Sequence, residues 1–174
     1  MATMTPSTRD DIENFKRLVQ HAPFGAGLAL NIAPYATDPI PPLNLRGGRN
    51  AEGWRAVYEG VVQPEWGNPM GAMHGAAVAW VVDTCTSAAI VALHTPEFWG
   101  PPMTGGVSLT LDTSFFNAAP VGTKIRILVT MERLSPTLAN LRCDITEWDT
   151  GRRLSSGTHC KTWRPAPSKD KAKA

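Results

Sequence analysis

One acid stands alone in the most apolar stretch of the chain. Between Gly75 and Leu93 (GAAVAWVVDTCTSAAIVAL), Asp83 is the sole formal charge. A carboxylate in apolar surroundings is costly unless it is hydrogen-bonded, and titrating groups in such settings cluster at functional sites. Thr84, Cys85, Thr86 and Ser87 follow as candidate partners. Two readings stand: an acid that exchanges protons with a substrate, or a structural acid that caps a loop or holds a hydroxyl network. Elsewhere Arg46 and Arg49 flank Gly47-Gly48, a loop that could meet a phosphate or be a plain solvated insertion. The four histidines and three cysteines show no metal-ligand spacing. No Gly-x-Ser-x-Gly elbow is present, which argues against an α/β serine hydrolase.

The elements that must position these residues follow from periodicity. No proline or internal glycine interrupts the stretch from Gly75 to Leu93, and apolar residues occupy every side, which predicts one buried helix over about 74–93. A membrane span of that length is rejected, because a mid-span Asp with hydroxyl neighbours is unfavourable and neither flank has a Lys/Arg cluster. A short amphipathic helix is expected over 8–21, with Ser7 or Thr8 as cap and Asp10 and Asp11 in its first turn. A short strand is expected at 28–33, a Pro/Gly-rich loop at 34–50, and a strand from Trp54 to Trp66 with a bulge or close approach at Gly60. After Gly106 the period changes to two. Val107, Leu109, Leu111, Thr113 and Phe115 share one face of a strand, with Ser108 on the other. Strands around Ile125–Met131, Leu141–Ile145 and Leu154–Trp163 complete an expected four-strand antiparallel meander. A helix apolar all round needs cover on all sides, so the expected fold class is α+β, a curved antiparallel sheet wrapped around it.

Length and charge narrow the function. A chain of 174 residues with net charge +2 suits one domain, here 1–164, followed by a disordered basic tail over 165–174. No basic stripe interleaved with aromatics points to nucleic acid. An odd cysteine count without an apolar leader implies reduced thiols and an intracellular, first of all cytoplasmic, setting, with mitochondrial and peroxisomal placement open.

In order, Asn68, His74-Gly75, Asp83, Gly106-Val107-Ser108, Pro120-x-Gly122 and Gly157-x-His159-x-Lys161 resemble the hotdog-fold acyl-CoA thioesterases, nearest the phenylacetate-pathway (PaaI) type of the 4-hydroxybenzoyl-CoA thioesterase superfamily. The resemblance covers roughly 54–163 and departs at Ala76, where the family has a second glycine. It implies a hotdog fold and hydrolysis of an acyl-CoA or, second, an acyl-carrier-protein thioester, with neither cofactor nor metal. Asp83 would activate water or attack directly, Ser108 would orient the water, and Asn68 would serve the active site. The Gly75 amide, at a helix start where donors lack partners and the dipole is positive, would take the oxyanion. His74 would cap the helix or touch substrate. Arg46, Arg49, Arg126 or Arg142, His159 and Lys161 are candidates for the coenzyme A phosphates.

Gly75 and Asp83 are eight residues apart, about 12 Å along a helix, whereas one carbonyl and its water need donor and base each within about 3 Å. A homodimer whose two-fold brings Gly75 of one subunit to Asp83 of the other resolves this, with a tetramer of two dimers as an extension. A non-catalytic acyl-CoA-binding hotdog module and a hotdog hydratase or dehydratase remain the alternatives.

Overall fold

The computed structural model describes residues 3–20, 24–29, 31–95 and 105–163. Its elements are β1 (Thr5–Pro6), α1 (Arg9–Gln20), α2 (Ala26–Ala29), β2 (Ile32–Thr37), β3 (Arg55–Val61), a 3-10 turn (Pro64–Trp66), α3 (Gly75–Ala92), β4 (Val107–Phe115), β5 (Lys124–Leu134), β6 (Leu138–Glu147) and β7 (Arg153–Thr162). The strands form one antiparallel sheet in the order β1-β2-β3-β5-β6-β7-β4. α3 packs across β4, β5, β6 and β7, and Val81, Val82, Cys85, Ala89 and Ile90 lose all contact with solvent. This is the wrapped helix that the sequence predicts. It is long and apolar enough to cross a membrane by length and composition, but here the sheet covers it.

Local chemistry explains the ends. Thr8 Oγ1 accepts the Asp11 amide at 3.2 Å, and the Asp11 carboxylate accepts the Thr8 amide at 2.7 Å, a reciprocal cap at the start of α1. The apolar side of α1 buries Phe15 and Val19, with the Phe15 ring 5.5 Å from that of Tyr58. On β5 and β6, Ile125, Ile127, Val129, Met131, Leu141, Cys143 and Ile145 are buried, as alternation requires. Cys85, Cys143 and Cys160 are free thiols.

The structure corrects three expectations. The first main strand is Ile32–Thr37, not 28–33, because Gly25 at φ 75° starts a helical turn closed by the Leu28 amide on the Gly25 carbonyl. Pro34 then falls inside β2, where a register shift between Pro34 and Ala36 accommodates it. The strand expected to reach Trp66 ends at Val61, and Pro64 opens the 3-10 turn instead. Gly60 is a close approach, since a Cβ there would stand 3.0 Å from the Asn31 carbonyl.

The third correction concerns topology. Of the four strands expected in the meander, only β5, β6 and β7 follow one another; β4 pairs with β7 at the far edge of the sheet. The link from β4 to β5 crosses the start of α3, where the Met73 amide meets the Ala119 carbonyl at 2.8 Å and the Val121 amide meets that of Gly71 at 3.0 Å. The expected end of the first helix at His21 and the basic tail at 165–174 lie outside the described residues.

Candidate active site

Gly157 sets the distance between α3 and β7. A Cβ at this position would lie 2.8 Å from Val82 Cγ1 and 2.9 Å from the Asp112 carbonyl oxygen, so only a glycine lets the helix settle this close. Two and four residues further along β7, on the same face, His159 and Lys161 are drawn beneath α3 and buried, at 1% and 4% exposure. His159 Nε2 stands 3.6 Å from Asp83 Oδ1, and Lys161 Nζ stands 3.8 Å from the same oxygen. The Asp83 side chain is 47% exposed. The sequence placed this acid inside apolar packing. Instead it sits where the helix emerges from the sheet, with its neighbours buried and itself facing the opening.

The hydroxyls after Asp83 serve those neighbours rather than the carboxylate. Thr86 Oγ1 lies 2.6 Å from the Val82 carbonyl, 3.1 Å from that of Asp83 and 2.6 Å from His159 Nδ1. Thr86 has one hydroxyl proton and the carbonyls can only accept it, so His159 Nδ1 carries hydrogen and donates to Oγ1. His159 Nε2 is then the acceptor for the Ser108 hydroxyl, 2.8 Å away. Burial first, and the Lys161 charge second, push the His159 pKa down to about 4 against the opposing pull of Asp83, so the imidazole is neutral near pH 7. Lys161 Nζ donates to Ser87 Oγ at 2.7 Å. Burial lowers the Lys161 pKa and Asp83 counters that shift.

Ser108 reaches this cluster through a bulge. The β4–β7 register pairs Ser108 with Lys161 and Leu111 with His159, with a shift between Ser108 and Thr110. Cross-strand partners share a face, so Ser108 lies on the α3 side together with Leu111, Thr113 and Phe115. Strict alternation had put it on the opposite face; one extra residue reverses that.

The start of α3 forms a second centre. His74 is the N-cap, its Nδ1 accepting the Ala76 amide at 3.0 Å, and its own amide donates to the Trp66 carbonyl at 2.7 Å. Gly75 follows as the first helical residue, beneath the Phe115 ring, whose Cζ would lie 3.4 Å from a Cβ there. Asn68 Oδ1 accepts the amides of Met70 and Ala72 at 2.9 and 3.3 Å, which shapes the loop leading into the helix. Asn68, Gly75, Phe115, Asn117, Leu154 and Ser155 help to line a cleft of about 410 Å³. Asp83 opens on a different cleft of about 170 Å³, with Leu18, Val19, Phe24, Trp80, Thr84 and Ser87. Nothing in the sequence pattern pointed to Asn117 or Ser155.

The remaining candidates are scattered. Arg49 donates to the Leu93 carbonyl at the end of α3 and to the Pro41 carbonyl. Arg46 is exposed, and its amide and that of Gly48 are taken by Asn44 Oδ1, so the amides of this loop already serve its own side chain. Arg126 lies opposite Glu59 on the outer face of the sheet, away from α3. His159 and Lys161, expected near coenzyme A phosphates, are buried against Thr86, Ser108, Ser87 and Asp83. Among the described residues, no three His, Cys, Asp or Glu side chains gather as a metal site.

Residues 70–152 match the Thioesterase superfamily. The matched stretch contains His74, Gly75, Asp83 and Ser108 and stops short of His159 and Lys161. The chain is 27% identical over 107 residues to acyl-coenzyme A thioesterase 13 of Mus musculus, covering 62% of this chain and 71% of that protein. Its fold is similar to that of zebra fish thioesterase superfamily member 2, with a TM-score of 0.67, 22% identity and coverage of 87% and 94% of the two chains. It is also similar to the E. coli PaaI protein from the phenylacetic acid degradation operon, with a TM-score of 0.59, 14% identity and coverage of 88% and 96%. The hotdog thioesterase fold expected from the sequence is the fold observed.

Proposed function

We propose that this protein hydrolyses acyl-CoA thioesters at sites shared between two subunits. The observation that carries the reading is that Gly75 and Asp83 open on separate clefts of one chain. The thioesterase-superfamily match and the resemblance to acyl-coenzyme A thioesterase 13 support the substrate class. The edge of the sheet supports the dimer. Among the described residues β4 has no strand neighbour on one side, and Val107, Leu109, Leu111 and Phe115 along it are exposed. An apolar open edge invites pairing with another chain. Two copies related by a two-fold would cover it and face Gly75 of each with the partner's Asp83.

In this reading the Gly75 amide, an unpaired helix-start donor, polarises the thioester carbonyl, and Asn68 holds the loop that presents it. His74 acts as cap. Ser108 donates its proton to His159, so its lone pairs are left to accept a hydrogen from water. Asp83 takes the water's proton as oxygen attacks carbon. The C–S bond then breaks, and the thiolate leaves with that proton. These groups supply acid–base catalysis and oxyanion stabilisation, and the reaction needs no cofactor.

A thiol-release assay across acyl-CoA chain lengths tests this, with Asp83→Asn alongside. Turnover that the substitution abolishes, with the dimer intact, is the expected result. Tight CoA binding without turnover in the unaltered protein would mark a binding module instead, and hydration of an enoyl-CoA without thiol release would mark a hydratase.

A further inference from the structure

We propose that Lys161 is a positioning residue for the reaction, holding the Asp83 carboxylate in one orientation from beneath. The inference rests on Asp83 being the reacting acid. Lysine is almost never this buried unless paired, and Lys161 is 4% exposed on a strand whose outer positions were free to take it. Its ammonium is itself fixed. Ser87, one helical turn beyond Asp83 and on the same side of α3, accepts from Nζ at 2.7 Å.

From that anchor Nζ stands 3.8 Å from Asp83 Oδ1, the oxygen that His159 Nε2 also approaches at 3.6 Å. Of these two β7 groups only Lys161 brings hydrogen to Oδ1, because His159 Nε2 is the unprotonated nitrogen, and Oδ2 is the oxygen left for the water. A half-exposed aspartate on a helix surface has several rotamers open to it. A fixed cation under Oδ1 selects among them. Among the described residues, the charged or titratable groups beside Asp83 are His159 and Lys161, and the wall contributed by α1 supplies Leu18 and Val19.

Lys161→Met keeps the volume and removes the charge. With thermal midpoint and dimer unchanged, kcat should fall about 10- to 100-fold, the scale expected when a reacting group is misplaced by an ångström, with KM held within about twofold. In Lys161→Ala, propylammonium should restore part of the lost kcat in a saturable way, and the same amine should do nothing for Asp83→Asn. Wild-type kcat in folded Lys161→Met, or a loss confined to KM, overturns the proposal. Should Lys161→Met fail to fold, Ser87→Ala decides: it frees the ammonium from its anchor and should lower kcat, and an unchanged kcat overturns the proposal. If Asp83→Asn is itself fully active, the fault lies in the role given to Asp83 rather than in Lys161.

Discussion

Ser108 Oγ lies 2.8 Å from His159 Nε2, a contact between two strands that exists because β4 carries one residue more than its partner between Ser108 and Thr110. The bulge turns a serine from the outer face into the last member of a chain: Ser108 to His159, His159 to Thr86, Thr86 to the α3 carbonyls.

Ser108→Ala should lower kcat by about 10- to 100-fold with little loss of stability, since the side chain is exposed and its loss removes the water's acceptor. Thr86→Val should act differently. It is similar in shape but strands the buried His159 Nδ1–H, a cost of about 1–3 kcal/mol. Denaturant titration of the two variants distinguishes these effects.

The buried imidazole makes stability depend on pH with a definite sign. His159 has its folded pKa pushed down to about 4 from an ordinary 6.5, so between these values the unfolded chain binds the proton and the native state does not. Its contribution is fully present above pH 6.5 and is lost as pH falls toward 4, by roughly 3 kcal/mol at most. The His159 ring resonances followed by NMR should titrate near 4, and the unfolding midpoint should drop across that window. His159→Asn should flatten the dependence.

Gly157→Ala should destabilise by about 1–3 kcal/mol through overpacking. Val82→Ala in the same chain should recover only part of this, because the new Cβ would still meet the Asp112 carbonyl at 2.9 Å. Thermal midpoints of the two single variants and the double variant give the comparison.

Shared sites predict complementation between dead variants. Gly75→Pro removes the amide at a position where helices accept proline, and Asp83→Asn removes the base. Refolded together in equal amounts, half of the dimers are mixed, and each has one intact site of two. Activity should return to about a quarter of wild type if sites are shared. If donor and base come from one chain, none should return.

How far the chain could be read in advance differs by element. The long helix, its start at Gly75 and the lone acid two turns in were legible, because an uninterrupted apolar run with one charge has few other folded outcomes. So were β5 and β6, where Ile125 to Met131 and Leu141 to Ile145 alternate without a break. Asp83 was misjudged as sealed because a helix apolar on all sides does not reveal where its cover ends. His159 and Lys161 read as candidates for coenzyme A phosphates on an alternating strand. Their burial depends on Gly157 admitting α3 against β7, and strand composition alone does not register that contact.

The amino-acid order alone thus settled where the long helix runs and, on β5 and β6, which face avoids water, since side-chain period and polarity are properties of a segment. Folding in three dimensions decided which strands became neighbours, where β4 slips by a residue, and which polar groups meet at Asp83. Those outcomes come from registers and close approaches between distant segments, and a period of two or 3.6 is the same whichever neighbour an element finally meets.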